Sequence, residues 1–426
     1  MRIDMVSEHA SPLAALGGAD AGGQNVHVAE LAAGLAGLGH EVVVHTRRDS
    51  PELPPAVKVR DGITVVHVPA GPPQQMSKDE LLPHMPEFGD FLARRWTRNP
   101  PDLVHAHFWM SGLAALRGAR EGAFPVLQTF HALGVVKRRH QGAKDTSPPQ
   151  RQYLEPQVAR AVDLVVATTR AEVDELTSFG VPAANTVVLP CGIDLRKFTP
   201  SGPVSPRGRG ARVLSIGRLV ERKGVDTAIA AMAAVPEAEL LVAGGPEPRE
   251  WQHDPEVARL RAVAEAHGVS DRVRFLGPVA HDRTPQLYRS VDVVVSAPWY
   301  EPFGTVPLEA MACGVPPVVT AVGGHLDTVV DGETGLVVPR RTRQRWLPAS
   351  TSCWPTPSGV VNSASLECAG CAPGTGGTGW RAPPKPCTGR CFPGSPGRQR
   401  RLWEVRRDRR ALRRAGRGRG EHPAPS

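Results

Sequence analysis

Short apolar runs recur along the first 340 positions, separated by stretches with helical spacing. Strands are expected at 2–7, 41–46, 63–68, 102–106, 125–130, 163–168 and 186–189. Near-continuous apolar runs of this length read as strands buried on both faces. Helical patterns fall between them, for example at 24–38 and 155–161. Strands alternating with helices imply a parallel sheet covered on both sides. Residues 191–210 are rich in Pro, Gly and Arg and read as a linker. Alternation resumes at 212–217, with further strands at 239–243, 274–276, 291–296 and 317–320 and a helix at 257–266. The expected fold is α/β, with two facing Rossmann-like domains at 1–190 and 211–340. Ligands of such sheets bind at the carboxyl ends of the strands, so two of them facing make a cleft. Regular patterning stops near Pro339, and residues 341–426 read as a disordered tail.

Charge changes the picture in one place. The chain carries +9, but residues 341–426 hold +13 and residues 1–340 hold −4. The basicity belongs to the tail, so no nucleic-acid partner is expected for the body. Five of the seven cysteines also lie in the tail, without a repeated metal spacing. No apolar stretch is long enough to span a bilayer, and a soluble cytoplasmic protein is expected. The abrupt change of composition inside a domain reads as a shifted reading frame after residue 340.

Candidate chemistry concentrates at strand ends. The stretch 300–314 follows the 291–296 strand and carries Glu301 in a loop and Glu309 in the following helix. Phe303, Gly304 and Thr305 open that helix, and free amides there suit an anion. Arg218 and Lys223 follow the 212–217 strand, where cations are unfavourable unless an anionic ligand offsets them. A glycine-rich loop follows the first strand, from Glu8-His9 through Gly17-Gly18-Ala19-Asp20-Ala21-Gly22-Gly23-Gln24-Asn25, and then opens a helix. His131 ends the 125–130 strand. His105 and His107 form a His-x-His, but a metal site needs a third ligand and none is near in sequence, so a cleft-lining or structural role is expected.

Glu-Pro-Phe-Gly at 301–304 with Glu-Ala-Met-Ala-Cys-Gly at 309–314 resembles the signature of the family 4 retaining nucleotide-sugar glycosyltransferases of GT-B fold. Arg218-x4-Lys223 matches that family's donor-diphosphate clamp, and the resemblance covers roughly residues 1–340. Within the family, the chain is most similar to the inositol-phosphate N-acetylglucosaminyltransferases and to sucrose-phosphate-synthase-like members. The resemblance implies hexosyl transfer from a nucleotide-diphosphate sugar to a hydroxyl acceptor, a polyol or sugar phosphate. UDP is the default nucleotide, with GDP and ADP open, and no metal or other cofactor is implied. It assigns Glu301 and His131 to the catalytic centre, and Gly23, Arg218, Lys223, Phe303, Gly304, Thr305 and Glu309 to the donor. It assigns His9, Asp20, Asn25, Lys78 and Arg151 to the acceptor, with Lys78 and Arg151 on its phosphate. Two departures remove hydroxyls: Phe108 stands for a tyrosine and Ala132 for a threonine. The alternatives are a nucleotide-sugar epimerase of similar shape, and an inactive remnant if the tail has cost the second domain its closing helices.

Overall fold

The computed structural model describes residues 1–13, 23–208 and 210–340. Asp20 and the neighbouring glycines of the first loop, and the whole tail read as shifted in frame, lie outside the described residues. All described residues belong to one compact unit.

The first sheet holds β1 (Arg2–Val6), β2 (Glu41–Arg47), β3 (Ala56–Arg60), β4 (Ile63–Val68), β5 (Leu103–His107), β6 (Val126–Thr129), β7 (Leu164–Ala167) and β8 (Thr186–Val188). Their order is β3-β4-β2-β1-β5-β6-β7-β8. All neighbours are parallel except β3, which runs antiparallel to β4. β1 lies between β2 and β5, with Ile3 opposite both Val42 and Leu103. The second sheet holds β9 (Ala211–Ile216), β10 (Ala238–Ala243), β11 (Val273–Gly277), β12 (Val293–Ser296), β13 (Pro317–Thr320) and β14 (Leu336–Val338). It is parallel throughout, in the order β11-β10-β9-β12-β13-β14. This is the expected α/β architecture of two Rossmann-like halves.

The strands are apolar on both faces because helices cover both sides. In the first half, Phe88, Leu92, Trp96, Trp109, Met110 and Phe130 fill the larger core, all 2 % exposed or less. The second half closes on Leu214, Ile229, Leu240 and Tyr288.

Buried polar groups tie strands to helices. Asp4 in β1 is fully buried, with Oδ2 accepting from Trp96 Nε1 at 2.7 Å and facing His45 Nε2 at 2.8 Å. Its Oδ1 accepts from Arg2 Nε at 3.1 Å. Glu172 sits in the first turn of the helix Arg170–Ser178, whose cap is Thr169. Its Oε2 accepts from Thr168 N at 2.7 Å and Thr168 Oγ at 3.0 Å, while Oε1 is buried without a hydrogen-bond partner. Burial, with Glu155 adding repulsion, outweighs those bonds and pushes its carboxyl up from 4.5 to about 7.

A raised carboxyl pKa makes folding favour the proton. Below pH 4.5 both folded and unfolded chains hold it. Between 4.5 and about 7 only the folded chain does, so stability falls across that window and then levels off. The full span is worth about 3 kcal/mol. Glu172→Gln keeps the uncharged shape and is expected to abolish this slope. Urea melts of parent and variant at pH 5 and pH 8 check it: a stability gap that does not widen in the variant's favour at pH 8 rejects it.

Candidate active site

The carboxyl edges of the two sheets face each other. After β6, the helix Gly134–Gln141 and the 3₁₀ turn Gly142–Lys144 reach the residues that follow β9 and β12. His140 stacks on Tyr300 with ring centroids 5.4 Å apart, and Gln141 Nε2 donates to Tyr300 Oη at 2.8 Å. Lys144 Nζ meets Glu221 Oε2 at 2.5 Å and lies 5.9 Å from the Trp299 ring centroid. Arg170 N donates to Asp327 Oδ2 at 2.8 Å.

On the second half, β9 and β12 are neighbours, so the loops after them meet. The first carries Lys223 at the end of the 3₁₀ turn Glu221–Lys223, and the second carries Glu301. Lys223 Nζ donates to Glu301 Oε2 at 2.5 Å, with both side chains largely buried. Burial would raise the Glu301 carboxyl, but Lys223, His325 and Arg222 outweigh it and hold it below its ordinary value. Burial pushes the Lys223 ammonium down, Glu301 opposes that, and Arg222 and Arg218 add to it. A cation already strained by two neighbouring cations gains from a further anion beside it.

The loop carrying Glu301 is clamped by glycine. Gly304, at φ +83°, caps the helix Thr305–Ala312. Gly324 N donates to Glu301 O at 2.9 Å, and a Cβ on Gly324 would stand 2.1 Å from Phe303 O. No side chain fits there, so Gly324→Ala must move the loop that carries Glu301 and Phe303. His325 is fully buried behind it, donating from Nδ1 to Thr320 O at 3.0 Å, with Nε2 3.4 Å from Ser296 Oγ. Glu309 lies in the second turn of the helix. Its Oε2 accepts from Tyr288 Oη at 2.7 Å, and its Oε1 is 4.0 Å from His281 Nε2. Lys197 Nζ donates to His281 Nδ1 at 2.6 Å.

On the first half, β1, β5 and β6 end together. His9 Nδ1 lies 2.8 Å from Glu8 Oε1, and the Ser111 hydroxyl donates to Glu8 Oε2. Gly23 opens the helix Gly23–Gly37, and Asn25 in its first turn donates from Nδ2 to Ser11 O at 3.0 Å. His131 has φ +61° and Phe108 has φ +80°, backbone states that cost non-glycine residues roughly 1–3 kcal/mol each and cluster at functional sites.

Lys78 lies in the 3₁₀ turn Lys78–Glu80, which is tied to the loop before Arg151 by Thr146 Oγ donating to Asp79 Oδ2 at 2.6 Å. Arg151 is 4 % exposed, paired with Glu155 Oε1 at 2.8 Å and donating to Ala132 O at 2.5 Å. Its guanidinium is thus committed inside the protein, over the Phe108 ring at 5.0 Å. Any phosphate it serves must share it with Glu155. Lys137, paired with Asp145 at 2.9 Å and donating to Ser147 Oγ at 2.8 Å, adds a cation to the same segment.

No third ligand lies near His105 and His107 in sequence, but the fold brings two distant histidines to His107. His27, His107 and His131 present ring nitrogens all within 4.8 Å of one another. The sequence missed this because 80 and 24 residues separate them. It also missed Gly324 and His325, although a glycine pair directly after a buried strand hints at close backbone approach. Tyr288, His281 and Lys197 around Glu309 carried no sequence signal.

Two facing α/β halves, with candidate site residues at the carboxyl ends of their strands, are the architecture of the GT-B fold. Residues 21–197 match Glycosyltransferase Family 4 and residues 204–348 match Glycosyl transferases group 1. The D-inositol 3-phosphate glycosyltransferase of Stackebrandtia nassauensis is 36% identical, covering 82% of each chain. Its counterpart from Xylanimonas cellulosilytica is 37% identical, over 81% of this chain and 86% of that one. Sucrose-phosphate synthase from Thermosynechococcus elongatus superposes with a TM-score of 0.74 at 32% identity, over 80% of this chain and 86% of that one. Anabaena Alr3699/HepE, solved with UDP and glucose, shares the fold at a TM-score of 0.61 and 21% identity, over 81% and 87% of the two chains. The chain belongs to glycosyltransferase family 4 and is a glycosyltransferase. Among the described residues, no helix is long and apolar enough to cross a membrane.

Proposed function

We propose that the chain is a retaining transferase moving a hexosyl group from a nucleotide-diphosphate sugar, UDP by default, to a hydroxyl of a polyol or sugar phosphate. The observation that carries this is the partly buried Lys223–Glu301 pair at an edge facing the first half. Relatives named for inositol phosphate and for sucrose phosphate support the acceptor class. A cytoplasmic reaction is part of the same proposal.

In this reading, Arg218 and Lys223 hold the diphosphate and offset the charge that grows on it as the sugar leaves, without a metal. The amides of Phe303, Gly304 and Thr305 at the helix start add to them. Glu309 takes the ribose hydroxyls, held in place by Tyr288. Glu301 and His131 orient the sugar from the two sides. The bond from the anomeric carbon to the diphosphate oxygen breaks as the acceptor oxygen bonds on the same face. The acceptor's proton passes to the departing phosphate oxygen. His9, Asn25, Lys78 and Arg151 serve the acceptor, with Asp20 in the loop beyond the described residues.

Thermal shift with UDP, GDP and ADP tests the donor half. A ligand at about a hundred times its Kd adds about 2.7 kcal/mol, a rise of several degrees. UDP is expected to give the largest rise, and no rise with any of the three would refute a nucleotide site. Product analysis with and without inositol phosphate then separates transfer from epimerisation. Glu309→Gln is expected to raise the donor KM with little change in kcat, because ribose contacts are made equally in ground and transition states. A fallen kcat with unchanged KM would contradict that role.

A further inference from the structure

We infer that His27, His107 and His131 form a binding site for one divalent transition-metal ion of zinc-like character. The three imidazoles come from three elements: the helix Gly23–Gly37, the end of β5, and the loop after β6. Their nitrogens lie within 4.8 Å of one another, and His107 Nδ1 is already 3.0 Å from His131 Nε2. Three nitrogens at zinc-bonding distance in tetrahedral geometry lie about 3.4 Å apart. One pair is therefore already at that spacing. The half-buried His27, whose ring centre is 5.0 Å from that of His131, completes the set by a small side-chain rotation.

The donor set suits an ion: three imidazole nitrogens are a ligand set that zinc takes, with a fourth position left open. The ion would replace the proton now shared between His107 and His131, leaving a fourth position for water or a ligand oxygen.

Binding stands on this geometry alone. Its consequence rests on the role proposed for His131: an ion on that ring locks its tautomer and puts a positive charge beside the donor sugar, so zinc inhibits transfer.

The test is cobalt titration of the full chain, followed by absorbance. The parent is expected to bind one more equivalent of Co²⁺ than His27→Phe. That equivalent should show visible d–d bands and no near-ultraviolet thiolate band, which separates it from cysteine-bound cobalt in residues 341–426. Equal stoichiometry and equal spectra in the two proteins overturn the site. His27→Cys keeps a ligand at the position and is expected to restore the equivalent with a new thiolate band. Failure of that band to appear in a folded His27→Cys protein also counts against it. Zinc at one equivalent is expected to lower the parent's transfer rate at least about tenfold. Cobalt bound as described with transfer unaffected by zinc overturns the inhibition while leaving the site.

Discussion

Lys223→Ala is expected to lower kcat/KM by about 10²- to 10³-fold, the loss typical of removing one group that stabilises developing negative charge. Two effects add. The diphosphate loses a cation, and Glu301 loses the partner 2.5 Å away that helps to hold it ionised. Without Lys223 the Glu301 carboxyl moves upward, although His325 and Arg222 still favour its charged form. The fall should therefore appear in kcat as well as KM. Steady-state kinetics with the donor chosen by thermal shift decide it, with circular dichroism confirming the fold. A variant within threefold of the parent in both constants would remove Lys223 from the site. Glu301→Gln in the Lys223→Ala background should cost far less than in the parent, because the two act as a unit.

Asp4→Ala is expected to destabilise the first half by about 3–5 kcal/mol, as breaking a buried polar network from one side does. Asp4 serves Trp96, His45 and Arg2 at once. Removing it strands the indole N–H and the imidazole, both on buried side chains. Against a total stability of about 5–15 kcal/mol this is a large share. Urea denaturation measures it, and a loss under 1 kcal/mol would mean the network is replaceable. Burial would raise the Asp4 carboxyl, but His45, Trp96 and Arg2 lower it below 3.8. Its contribution is thus present above pH 3.8 and disappears as acid protonates it in the fold.

Much of this was legible in the residues, for a physical reason. A strand buried on both faces, such as Glu41–Arg47 with Val42, Val43 and Val44 inside, leaves a continuous apolar run that little else produces. β3 left no such trace: it is an exposed antiparallel edge, Ala56–Arg60, with polar residues interleaved. The strand ends carrying Lys223 and Glu301 were legible, but their meeting was not, because it depends on β9 and β12 being neighbours in the sheet. The commitment of Arg151 to Glu155 was not, since an arginine offered to a ligand and one spent on a carboxylate look alike in sequence. Nor was the histidine trio, because contacts among a helix, a strand end and a loop depend on packing rather than spacing.

The strand orders bear on how the chain emerges from the ribosome. In the second sheet β9 is laid down first, β10 and β11 extend it one way, and β12, β13 and β14 extend it the other. Every new strand meets an edge already made. In the first sheet β5 to β8 likewise add outward in turn once β1 is in place. Long-range parallel pairing is slow, and it falls at two places, where β1 waits for β5 and β9 waits for β12. The first sheet has all its strands by Val188. At typical synthesis rates that is roughly 10–30 s before β14 appears, long enough for the first half to be packed while the second is still being made.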